Sequence, residues 1–186
     1  MGCVDDKVDD VGLFGKLIDE LGKTLGIARG RVFCTGFSLG GSMCYRLACD
    51  LSQRIAAIAS VAGPNAPKTC KPARALPLLH IHGTADGFAS YAGDAGGPNP
   101  GAPGSVTSYA KRRGCAATPK PSFSKGAVTC QTHGGCRDGA HATLCTAKGG
   151  GHTWPGGKPW LLGGAVNQDI DASAMVLDFF LKGTFP

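Results

Sequence analysis

The chain has 186 residues, a hydrophobic fraction of 42% and a formal charge of +6, which suits one domain, residues 1–186, with a real core. No apolar run is long enough to span a bilayer, so the composition argues against a membrane partner. The densest basic cluster, Lys111-Arg112-Arg113, is short and lacks interleaved aromatics, so a solvated helix face explains it better than a nucleic-acid site.

Nine cysteines are many for a reducing compartment and point to disulfides in an oxidising one, with at least one thiol left over. The start, Met1-Gly2-Cys3-Val4-Asp5-Asp6, has neither the basic region nor the apolar core of a signal peptide. Composition typical of secretion without an export signal leads us to expect that the natural start lies further upstream.

Residues 8–27 read as an amphipathic helix. Val11, Phe14, Leu17/Ile18, Leu21 and Leu25 recur at three- and four-residue spacing, with Asp9 and Asp10 at the start and Gly26 at the end. An apolar run, Val32-Phe33-Cys34, then enters Thr35-Gly36-Phe37-Ser38-Leu39-Gly40-Gly41, and residues 42–51 are helix-forming. Strand, Gly-x-Ser-x-Gly and helix in that order form the context of a nucleophile elbow. Gly36 and Gly40 would clear the strained turn, Gly41 would let the helix pack closely, and Ser38 would project from the positive end of that helix. The competing reading is a glycine-rich turn with an incidental serine.

Residues 55–61 form a short apolar run, residues 67–77 a loop, and Leu78-Leu79-His80-Ile81-His82 a further strand closed by Gly83. Strand, helix, strand, loop, strand implies a parallel α/β sheet, with chemistry just past the carboxyl ends of its strands. Asp86 stands there, in His82-Gly83-Thr84-Ala85-Asp86, either as the acid of a Ser-Asp-His set or as a turn-forming aspartate. Residues 92–104 read as a mobile loop and 105–113 as a short helix. Residues 126–133 and 140–147 look like strands joined by a glycine-rich turn.

Gly149-Gly150-Gly151-His152-Thr153-Trp154-Pro155-Gly156 can occupy no regular element. A histidine held in such a loop is the right kind of base for Ser38, although a plain surface histidine would read the same way. Residues 167–182 close the chain as a helix capped by Asp171, with Ile170, Ala174, Leu177 and Phe180/Leu181 expected inward. Cys130-x-x-His133-x-x-Cys136, with His141 and Cys145 beyond, superficially matches a zinc cluster but lacks the paired Cys-x-x-Cys spacing. A structural role for these cysteines is preferred, and neither a metal nor another cofactor is expected.

Taken together, Val8-Asp9-Asp10-Val11-Gly12, Gly36-Phe37-Ser38-Leu39-Gly40-Gly41, Tyr45-Arg46-Leu47-Ala48-Cys49, His82-Gly83-Thr84-Ala85-Asp86 and Gly150-Gly151-His152-Thr153-Trp154-Pro155-Gly156 resemble a known family. These are the esterases grouped with poly(3-hydroxybutyrate) depolymerases and feruloyl or acetylxylan esterases, within the α/β-hydrolase fold. The resemblance implies a serine esterase with Ser38 as nucleophile, Asp86 as acid and His152 as base. The implied partner is an ester substrate, either a hydroxyalkanoate polyester or a feruloyl or acetyl polysaccharide ester, and the implied location is extracellular. It also singles out Cys115 and Cys136 as a disulfide, while a Cys49–Cys70 bridge stays open.

The backbone N–H of Leu39 would supply one oxyanion donor, and Trp154 either walls the substrate or simply packs. Family members carry a further stretch before the first helix, with the early strands and a His-Gly-type loop that gives the second donor. The chain therefore reads as the C-terminal portion of such an esterase, with an open sheet edge that invites self-association. A non-catalytic hydrolase-like fragment is the alternative.

Overall fold

The computed structural model describes residues 8–28, 30–64 and 69–183. The chain start and the first residues of the 67–77 loop therefore lie outside the described residues. In chain order the elements are α1 Asp10–Leu25, β1 Phe33–Phe37, α2 Leu39–Asp50, β2 Ala57–Val61, β3 Leu78–Gly83, α3 Gly101–Arg112, β4 Lys120–Lys125, β5 Val128–His133, β6 Ala142–Ala147 and α4 Ala172–Lys182. Among the described residues no helix is long and apolar enough to cross a membrane.

The strands form one sheet in the order β1-β2-β3-β6-β5-β4. β1, β2, β3 and β6 run parallel, whereas β5 and β4 are antiparallel to their neighbours. The sheet is thus mixed rather than wholly parallel. A short connection suffices between β4 and β5, whereas parallel neighbours need crossovers.

Burial explains the strand sequences. β2 and β3 are buried along their whole length, as expected of central strands covered on both faces. Ala57, Ala59, Val61, Leu79 and Ile81 pack with Met175, Val176 and Phe179 of α4. On the other face, Ile58 and Leu78 meet Tyr45 and Leu47 of α2 and Val106 and Tyr109 of α3.

β4, with sequence Lys-Pro-Ser-Phe-Ser-Lys, is mostly exposed and has no apolar alternation, which is why the sequence does not reveal it. Its lysines, its proline and the pairing irregularity between Pro121 and Phe123 blunt that edge of the sheet. At the opposite edge β1 pairs only with β2 among the described residues. Phe33 there stacks on Phe180, and Cys34 is bonded to Cys44 of α2.

Two helices differ in detail from the periodicity. α4 turns Ala172, Met175, Val176 and Phe179 inward and leaves Leu177 and Leu181 exposed. Both apolar sets repeat at helical spacing, so periodicity alone does not choose between them. In α1 only Val11 and Phe14 pack on the core, and Leu17, Leu21 and Leu25 stay exposed, because α2 covers only the start of its apolar stripe. α3 begins at Gly101, inside the stretch expected to be loop; Gly101, at φ 69°, turns the chain into it.

Four disulfides cross-link the described residues: Cys34–Cys44, Cys49–Cys70, Cys115–Cys136 and Cys130–Cys145. They overturn the zinc reading, since Cys130, Cys136 and Cys145 present no thiolates for a metal. The Cys130–Cys145 bridge joins β5 to β6 across 15 residues, a loop size for which closure entropy is worth about 3 kcal/mol. The Cys130→Ala/Cys145→Ala double variant is expected to lose stability on that scale in urea unfolding under non-reducing conditions. An unchanged midpoint would contradict the bridge.

Candidate active site

Ser38 sits between β1 and α2 at φ 54°, ψ −121°, a backbone region that side chains other than glycine rarely occupy. Its N–H donates to the Val61 carbonyl at 2.8 Å and its C=O accepts from Ser42 N–H at 3.1 Å, so β2 and α2 hold the strained residue from both sides. The turn exists because neighbouring backbones touch. A Cβ on Gly36 would collide with the Gly40 backbone, and one on Gly63 with the Ser38 carbonyl and Ser42 N–H. Gly40, by contrast, faces open space, contrary to the sequence expectation. The close approaches are made at Gly36, Gly41 and Gly63.

Asp86 and His152 arrive from the ends of β3 and β6. The loops that carry them are stitched together: Thr84 N–H donates to Ala147 O at 3.0 Å, Ala85 N–H to Gly150 O at 2.8 Å and Gly149 N–H to Thr84 Oγ1 at 2.8 Å. Gly83 has no room for a side chain against Gly150 and Gly151. The three side chains converge. Ser38 Oγ–H faces His152 Nε2 at 2.9 Å, and His152 Nδ1–H faces Asp86 Oδ2 at 2.8 Å. His152 and Asp86 are only 5% and 7% exposed, so their attraction is little screened.

Asp86 Oδ1 accepts from the N–H groups of Phe88 and Ala89 at 2.9 and 2.7 Å. Burial pushes the carboxyl pKa up. Hydrogen bonds from His82, Ala89 N–H, His152 and Phe88 N–H together outweigh it and bring the pKa down to about 2. Three aromatic rings surround the imidazole: Phe37 at 4.7 Å, Phe88 at 5.3 Å and Trp160 at 6.4 Å between centroids. Trp160 also donates from Nε1 to the His152 carbonyl at 2.9 Å.

A cavity of about 410 Å³ opens beside Ser38 and His152, lined by Leu39, Ala62, Pro64, Phe88 and Pro98 together with Ser42, Asp94 and Asn99. Leu39 begins α2, so its N–H belongs to the free, positive end of the helix. Trp154 is not part of this wall. Its ring packs against the α4 side of the core, and its Nε1–H donates to Ser173 at 3.0 Å. Trp160, exposed in a loop without regular structure, stands near the imidazole instead. No pattern in the sequence marked Trp160 or Phe88.

A sheet with these crossovers, with Ser38 after β1, Asp86 after β3 and His152 after β6, has the α/β-hydrolase fold. The sequence profile of the phospholipase/carboxylesterase family matches residues 7–93. Feruloyl esterase B of Piromyces equi is 33% identical over 84% of this chain and 31% of its own length. The bifunctional acetylxylan esterase/xylanase of Neocallimastix patriciarum is 35% identical over 44% of this chain and 12% of its own. The acetyl xylan esterase from Aspergillus awamori superposes with a TM-score of 0.60 at 14% identity, over 77% of this chain and 62% of that one, a likeness of fold. The chain has the α/β-hydrolase fold and is similar in sequence to these esterases. It spans less than a third of the length of either curated relative.

Two outcomes follow. A Gly36→Ala substitution forces backbone against backbone and is expected to cost about 1–3 kcal/mol, read as a lowered Tm. Asp86 has its pKa lowered from 3.8 to about 2, so its contribution is complete above the higher value and lost as pH falls toward the lower one. The stability difference between wild type and Asp86→Asn should therefore shrink across that interval when unfolding is measured at several pH values. A constant difference would contradict the assignment.

Proposed function

We propose that this chain is a serine carboxylic-ester hydrolase that works through an acyl-enzyme. One observation carries the reading: Ser38, His152 and Asp86 form an unbroken hydrogen-bonded relay at the mouth of a partly apolar cavity. His152 Nε2 takes the Ser38 proton as Oγ attacks the ester carbonyl. Asp86 holds the resulting imidazolium. The Leu39 N–H donates to the oxyanion at the start of α2. As the tetrahedral intermediate collapses, His152 returns the proton to the departing alcohol. Water then repeats the sequence on the acyl-enzyme and frees the acid and Ser38.

The proposed substrates are feruloyl or acetyl esters of plant cell-wall polysaccharide, a choice supported by the names of the relatives. A hydroxyalkanoate polyester is the second substrate class. Phe88 and Leu39 in the cavity wall suit an aromatic or short acyl group, and Asp94 and Asn99 suit hydroxyl groups beside it. Four disulfides support an extracellular location. The β1 edge, unpaired beyond β2 among the described residues, is the proposed route of any self-association. That same edge lies beside Ser38 and motivates the alternative of an inert hydrolase-like fragment.

A fluorophosphonate probe and turnover of methyl ferulate and 4-nitrophenyl acetate test the proposal. Wild type is expected to label at Ser38 and hydrolyse at least one ester. Ser38→Ala should lose labelling and lower kcat by at least ~10³-fold. Unchanged turnover in the variant would remove Ser38 from the mechanism, and a folded, unlabelled wild type would favour the inert fragment.

A further inference from the structure

β3 carries two histidines on the face that elsewhere bears Leu78. His80 and His82 are 0% and 1% exposed, where an apolar side chain would pack without the cost of burying polar atoms. They form a chain. Tyr45 of α2 places its hydroxyl 2.7 Å from His80 Nδ1. His80 Nε2 lies 2.9 Å from His82 Nδ1. His82 Nε2 lies 2.8 Å from the Ala89 carbonyl oxygen and 3.2 Å from Asp86 Oδ2. The two imidazoles are nearly parallel, with 2° between their planes.

We propose that this Tyr45–His80–His82 chain orients and polarises Asp86, making His82 a positioning residue for the Ser38–His152–Asp86 relay. The proposal rests on reading that relay as an esterase triad.

With both imidazoles neutral, only one arrangement of protons fits. The Ala89 carbonyl and the Asp86 carboxylate can only accept, so His82 Nε2 must carry the hydrogen. His82 Nδ1 then accepts from His80 Nε2–H, and His80 Nδ1 accepts from the Tyr45 hydroxyl. Every donor in the chain points toward Asp86. Burial, reinforced by neighbouring His82, holds the His80 pKa well below its usual value, and burial raises that of Tyr45. Both groups are therefore neutral at ordinary pH.

The functional consequence lies at one oxygen. Asp86 Oδ2 accepts from His152 Nδ1–H at 2.8 Å, and the His82 Nε2–H that is directed at the Ala89 carbonyl stands with its nitrogen 3.2 Å from the same oxygen. A second donor draws charge from the oxygen that stabilises the His152 imidazolium. The imidazolium formed on His152 during the proposed reaction is thereby attracted less strongly. The other ionisable groups around the chain are Tyr91, whose ring meets His82 edge-on, Tyr109 against Tyr45, and Arg112, which acts on Tyr45 from α3. Among the described residues, Ser38 is the other polar side chain on the His152 imidazole.

Nitrogen-resolved NMR of wild type is expected to show His80 and His82 neutral, with hydrogen on Nε2 in each. Removing the donor with His82→Leu should raise the His152 pKa, and with it the acid limb of kcat/KM, by about 0.5–1 pH unit. His82→Gln, whose amide can reach the same oxygen, should restore most of the wild-type profile. Tyr45→Phe deletes one oxygen, serves where His82→Leu does not fold, and should move His152 in the same direction by less.

A His82 hydrogen on Nδ1 would overturn the proposal. So would a His152 titration that is unmoved in the folded variants while kcat or stability falls, because that is the result a purely structural role gives. The NMR titration needs no turnover. An inactive wild type with the predicted His152 shifts would defeat the proposed activity while still showing that His82 acts on His152 through Asp86.

Discussion

The hydrogen bond between His152 and Asp86 closes the molecule. It ties the loop after β6 to the loop after β3, two strands that are neighbours in the sheet but 66 residues apart in sequence at these side chains. Three backbone and side-chain bonds between Thr84, Ala85, Ala147, Gly149 and Gly150 run parallel to it. The carboxylate is therefore presented by a rigid double loop rather than by a free turn, and preorganisation of this kind is what a charged group in a water-poor site needs. Ser38 is added from the adjoining side, where β1 and β2 end.

Several features around the site cost stability. Ser38 holds strained backbone angles, and two histidines occupy a strand face suited to aliphatic side chains. Such features persist where surrounding structure over-determines them. Here the over-determination is visible. α2 and β2 clamp the serine turn, and a disulfide pins α2 to β1 directly beneath it. The core on both faces of β2 and β3 is fully buried.

The candidate site was legible in sequence because Ser38, Asp86 and His152 each sit in a backbone constraint that only certain residues meet. Gly36 and Gly41 mark a turn in which backbones touch, and Gly83 and the run from Gly149 to Gly151 mark the contact between the Asp86 and His152 loops. Central strands read as apolar runs for the same reason, since both their faces are covered. The cavity wall read poorly. Trp154 carries the recognisable motif but packs on α4, while Trp160 and Phe88 flank the imidazole from loops without periodicity. β4 escaped because an exposed edge strand needs no apolar pattern.

Local sequence thus determined the serine elbow, the central strands and the glycine-lined turns that carry Ser38, Asp86 and His152, since each depends on steric rules acting over a few residues. The mixed sheet, the pairing of Cys34 with Cys44 and of Cys130 with Cys145, the inward face of α4 and the Tyr45–His80–His82 chain were decided by the tertiary structure. Each is a contact between segments whose own sequences admit more than one partner, and only the packing of the whole domain leaves one arrangement with its polar atoms satisfied and its apolar surface covered.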